Sequence, residues 1–240
     1  MAKRNRKNKA KIIDTERERY HGPLITDGVS LVYIKLYPWI GLALSGFMYL
    51  VGTYEDNLGI FTGLSLFCGV VNILGIIISF IPYLVNAWKA LIYYLIALTV
   101  LSLVIGLDFI GLLMVISDGS PIGAKEIYQS PLTPFYVIFI LLLFIFACGL
   151  YAWYYLPKNQ GKVWAFNQVK RGSRKKTWWN NFAVAFAGAT IIPALLTGYI
   201  QIAFGILLGI LLTLTLPAVM VDAIYAAIYV KKHPDSDELD

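Results

Sequence analysis

Long apolar runs, each bordered by basic residues, leave this chain few ways to fold. Several of them reach or exceed the roughly 20 apolar residues needed to cross a hydrocarbon core about 30 Å thick. Inside such a core every backbone N–H and C=O has to be satisfied by the chain itself. Runs of this length achieve that as helices, whereas a barrel would need short alternating strands. The sequence therefore predicts an all-α fold, a polytopic membrane helical bundle. Its 58 % hydrophobic content exceeds the soluble range of about 45–50 %. The 240 residues are largely consumed by spans and short connections, so a single membrane domain is expected.

Six spans are expected, at about 29–52, 59–83, 88–108, 135–156, 182–199 and 202–230. Residues 1–28 form a polar, basic cytoplasmic tail, and 231–240 a second cytoplasmic tail. The run from Leu91 to Ile116 is longer than one crossing requires and is interrupted by Asp108. The reading ends the third helix near Gly106–Asp108 and lays 109–117 along the outer interface. Asp118-Gly119-Ser120-Pro121, with Pro131 and Pro134, marks 118–134 as loop. A basic loop occupies 157–181.

Orientation follows from charge, because short loops rich in Lys and Arg stay cytoplasmic. With six spans and both termini inside, nineteen of the 20 Lys and Arg residues lie on the inner side and only Lys125 lies outside. Five or seven spans would put Lys231 and Lys232 on the wrong side. Aromatic residues crowd the inner ends as well, among them Trp88, Tyr93, Trp153, Tyr154, Trp178 and Trp179, as an interfacial belt requires. A strong charge bias, few cysteines and no Asn-x-Ser/Thr site are compatible with a bacterial cytoplasmic membrane.

The formal net charge of +6 points to anionic lipid head groups, worth about 1 kcal/mol per basic residue near the surface. Nucleic acid is not an expected partner. Cys68 and Cys148 sit inside apolar runs, where a free Cys behaves as a small hydrophobe. The first apolar run carries no small-residue cleavage site and reads as a retained span. His21 and His233 fall in the tails, and no HExxH, P-loop or GxSxG pattern is present. No catalytic residue, metal site or cofactor is assigned, and the balance leans away from an enzyme.

Asp222 is the leading site candidate. It lies about 13 Å inward from Lys231 at 1.5 Å per residue. An ionisable group at such depth costs about 3 kcal/mol or more unless paired or hydrated. Ala218 and Ala226 share its helical face, so it is expected to face the bundle. Pro217 is placed to kink that helix and free a carbonyl. The plainer reading is a structural Asp bonded to a neighbouring helix. Lys35 enters the first span near its inner end, where it either snorkels or pairs with Asp222. Asp108, placed at the outer boundary, reads as a helix end or as the lining of an external vestibule. Asn72 lies mid-span and is expected to bond across helices. Gly59/Gly63 and Gly205/Gly209 mark tight packing.

In the basic loop, Lys170, Arg171, Arg174, Lys175, Lys176, Trp178 and Trp179 form a cationic, Trp-anchored segment. It serves as an orientation signal, and it is also a candidate contact for lipid head groups or for a cytoplasmic or membrane protein partner. Three functions are carried forward. The first is a non-enzymatic, permease-like or accessory subunit serving transport, export or protection against a membrane-active agent; the permease analogy is architectural only. The second is a small secondary transporter or channel using an intramembrane Asp. The third is a lipid-modifying membrane enzyme.

Overall fold

The structure, a computed structural model, describes residues 29–53, 59–117, 123–156, 159 and 199–232. The expected N-terminal tail, nearly all of the basic loop with its seven contact candidates, and the expected fifth span up to residue 198 lie outside the described residues. So does the tail beyond Lys232.

A 3-10 turn, Leu31–Lys35, leads into α1 (Tyr37–Gly52). Pro38 stands in the first turn of α1, where its fixed φ suits a helix and its missing N–H has no partner to lose. Next come α2 (Ile60–Ser79) and the short α3 (Pro82–Ala87). Trp88, at φ −121° and ψ 43°, separates α3 from α4 (Lys89–Ile116). The short α5 (Ala124–Gln129), α6 (Leu132–Tyr154) and α7 (Ile200–Lys232) complete the described chain. All regular structure among the described residues is helical. Four helices, α2, α4, α6 and α7, are long and apolar enough to cross a membrane, and α1 is a shorter apolar helix.

Three readings differ from the sequence expectation, the first being the loop expected over 118–134, whose described part holds the short helix Ala124–Gln129 and the first residues of the helix Leu132–Tyr154. The span expected over 59–83 breaks at Phe80–Ile81, because Pro82 brings no N–H to continue α2 and instead starts α3. The third helix does not stop at Asp108, nor does 109–117 peel away along an interface: α4 continues to Ile116. Asp108 finds a hydroxyl partner on another helix, so its polarity does not force an end. The residues that follow, Phe109, Leu112, Leu113 and Val115, are buried in an apolar cluster with Met48, Tyr136 and Ile140.

The helix α4 is the central post. Around its first half, the 3-10 turn and α7 enclose Ile92, Tyr93, Ile96 and Val100 together with Val29, Ile34, Ala223 and Ala227. This half belongs to the basic end of the molecule, where Lys89 and Lys231 line one shallow cleft. At the opposite end α5 closes the bundle. Its Tyr128 hydroxyl donates to the Gly52 carbonyl at 3.3 Å and accepts from the Phe61 N–H at 3.2 Å. The Thr133 hydroxyl donates to the Ile127 carbonyl at 2.7 Å.

Helix directions follow from these contacts. On α7, Gly205 meets Gly111 and Thr213 meets Asp108, so α7 runs antiparallel to α4. Tyr136 lies beside Gly209, and the Tyr225 hydroxyl donates to the Ala152 carbonyl at 2.7 Å, so α6 and α7 run parallel. The end of α6 and the start of α7 therefore lie at opposite ends of the bundle.

Candidate functional site

Gly205, Gly209, Thr213 and Pro217 repeat every four residues along α7, and all four are buried. Residues at this spacing share one helical face, and here that face meets α4. Gly205 and Gly111 let the two backbones approach so closely that a Cβ on either glycine would crowd the other's carbonyl oxygen. This approach brings the polar groups of the two helices within bonding reach.

Asp108 is 8 % exposed. The Thr213 hydroxyl donates into its carboxyl group, with Oγ1 at 3.1 Å from Oδ1 and 3.0 Å from Oδ2. One hydroxyl proton bisects two oxygens, which together offer about four lone-pair sites. Tyr136, 7 % exposed, reaches in from α6. Its hydroxyl lies between Gly111 and Gly209, each of which would overlap it if it carried a Cβ. That hydroxyl is buried with no hydrogen-bond partner. Gly111 and Gly209 stand one turn from Asp108 and Thr213 on the same two helices. One turn beyond Thr213, Pro217 has no N–H for the Thr213 carbonyl.

The depth of this cluster corrects the placement of Asp108 at a boundary. Asp108 sits eight residues before the end of α4, about 12 Å inside it. It is an interior, interhelical residue.

Asp222, 2 % exposed, faces the bundle, with Ala218 and Ala226 buried on its face. Its Oδ2 accepts the Val29 backbone N–H at 2.8 Å. The side chain of Lys35 is exposed, so the structure gives the carboxylate a backbone donor and turns the lysine outward. Asp222 lies nine residues beyond Thr213, about 13 Å along the helix and roughly half a turn around it. The two carboxylates therefore address different neighbours.

Asn72 makes the expected interhelical bond. Its Nδ2 donates to Ser102 Oγ at 2.6 Å and to the Cys68 carbonyl at 2.8 Å. Its Oδ1 has no hydrogen-bond partner and presses on Gly41 of α1, where any Cβ would collide with it. This polar knot ties α1, α2 and α4 together on a different side of α4 from Asp108. Of Asp222, Lys35, Asn72 and Asp108, no two are brought into one site.

The cluster that does form contains Thr213 and Tyr136, which the sequence reading passed over. Thr213 carried a signal, since it continues the Gly205/Gly209 spacing and stands four residues before Pro217. Tyr136 carried none beyond being an aromatic near the start of a span.

Buried polar groups on four helices long and apolar enough to span a bilayer indicate the class: a helical membrane protein with a buried carboxyl group between two of its helices. Comparison with protein families, with characterised proteins and with solved structures finds no match.

Proposed function

We propose that the chain is a small ion-coupled membrane transport protein in which Asp108 carries the exchangeable charge. The observation behind this reading is a carboxyl group buried between α4 and α7 whose one hydrogen bond among the described residues comes from a hydroxyl. A lone charge in an apolar bundle costs about 3 kcal/mol or more, so this group needs a bound proton or cation to offset it. A group that must exchange its neutralising partner is the element a coupled transporter uses. Asp222 has a backbone N–H donor and a place in the inner packing, which suits a structural role.

The test is flux through the purified full chain in liposomes under an imposed cation or proton gradient. Wild type is expected to dissipate the gradient, and Asp108→Asn to lose at least about tenfold of that rate. Equal fluxes for the two proteins, or none for wild type, would refute the reading.

The proposed layout is six spans with both termini on the cytoplasmic face of a bacterial cell membrane. Two observations support it. Lys35, Lys89, Lys231 and Lys232 gather at one end of the described bundle, and Lys125 on α5 lies at the other. The parallel run of α6 and α7 leaves the end of α6 and the start of α7 at opposite ends of the bundle, which suits a proposed span at 182–199. A second reading, the permease-like subunit, is favoured by α6, whose Phe135, Leu142, Ile145 and Phe146 point outward. This apolar flank suits lipid or a neighbouring membrane chain, with the loop 157–181 as a cytoplasmic contact. Co-purification of a second chain in mild detergent tests it.

A further inference from the structure

The oxygens around Asp108 outnumber the hydrogens offered to them. Asp108 contributes two, satisfied by one shared hydroxyl proton. Thr213 contributes a hydroxyl oxygen. Tyr136 contributes a buried phenol oxygen with no partner. A buried, unsatisfied polar atom costs roughly a lost hydrogen bond's worth of solvation and calls for a ligand. The Tyr136 oxygen cannot relax away, because Gly111 and Gly209 enclose it on both sides. Three different helices thus supply an oxygen-only donor set carrying one formal negative charge.

We propose that Asp108, Thr213 and Tyr136 form a binding site for a single sodium ion, held between the phenol oxygen and the carboxylate. Oxygen donors without nitrogen or sulfur suit hard cations and disfavour transition metals. A single carboxylate balances a single positive charge, and among the described residues no group of three His, Cys, Asp or Glu side chains gathers to hold a more highly charged ion. The small number of donors suits sodium better than potassium, which needs a larger shell. The Thr213 proton stays directed at Asp108 while the hydroxyl's lone pair faces the ion.

This inference rests on reading Asp108 as an exchange site, but its test does not require flux. The full chain, purified in detergent, is unfolded thermally in sodium, potassium or choline chloride at equal ionic strength. Sodium is expected to raise the midpoint by about 5 °C when in hundredfold excess over Kd, with potassium and choline matching each other. Asp108→Asn removes the sodium response, and Tyr136→Phe weakens the apparent sodium affinity about tenfold, as loss of one charge–dipole ligand predicts. Thr215→Val, altering a hydroxyl that bonds only its own helix, keeps the wild-type response. Equal midpoints in all three salts overturn the site, as does a sodium response that survives both Asp108→Asn and Tyr136→Phe. Should Asp108→Asn fail to fold, the wild-type salt comparison and Tyr136→Phe still decide. Asp108-dependent flux without sodium selectivity sinks this inference alone. Sodium binding without flux sinks the transport reading and leaves the site standing.

Discussion

Tyr136 and the two glycines that enclose it form the tightest residue-level constraint in the bundle. A methyl group at position 209 would run into the phenol oxygen, while the ring carbon bearing that oxygen stays at 3.3 Å. Gly209→Ala is therefore expected to cost about 1–3 kcal/mol, as overpacking of a filled core does. Adding Tyr136→Phe removes the colliding atom and should restore much of the loss. A double-mutant cycle by thermal unfolding reads this coupling, and strictly additive effects would place the collision elsewhere. At this scale the sequence showed the acids more readily than their partners. Asp108, Asp222 and Asn72 stand out because polar groups in apolar runs are costly wherever they point. Thr213 and Tyr136 are ordinary in composition, and only the approach of α4, α6 and α7 makes them neighbours of Asp108.

Among the elements, α7 carries a proline, Pro217, inside a helix that continues to Lys232. Pro217→Ala would supply the missing N–H to the Thr213 carbonyl and is expected to stabilise the helix, by up to about 3 kcal/mol. Thermal unfolding in a single salt reads this change, and an unchanged midpoint would show that the Thr213 carbonyl had not been short of a donor. Helix existence was legible from apolar length for α2, α4, α6 and α7, and helix ends were less so. Pro82 explains the early break after α2 by ordinary backbone chemistry. Asp108 misled as a terminator because a charge inside an apolar run looks the same whether it ends a helix or meets a hydroxyl across an interface. That difference lies in tertiary contact, which local sequence does not encode.

For the whole molecule, the parallel course of α6 and α7 makes a sharp topological prediction. In a background where Cys68 and Cys148 are replaced by Ala, Leu156→Cys at the foot of α6 should react with a membrane-impermeant thiol reagent only from the cytoplasmic side. Tyr199→Cys, just before α7, should react only from the outside. Reaction of both from the same side would reject the six-span layout. The proposed layout draws on the charge pattern, which reads all the loops at once, whereas no single loop reveals which helices are neighbours. Helix length has its own consequence. The central α4 has 28 residues, about 42 Å, and the flanking α1 has 16, about 24 Å. No flat slab of uniform thickness matches both. In a bilayer such a difference is taken up by tilt of one helix, by residues reaching past the hydrocarbon, or by a local change in lipid thickness beside the shorter, outer helix. Acyl-chain length thereby becomes a mechanical input to this protein, felt first where the tall central post outreaches its shorter neighbour.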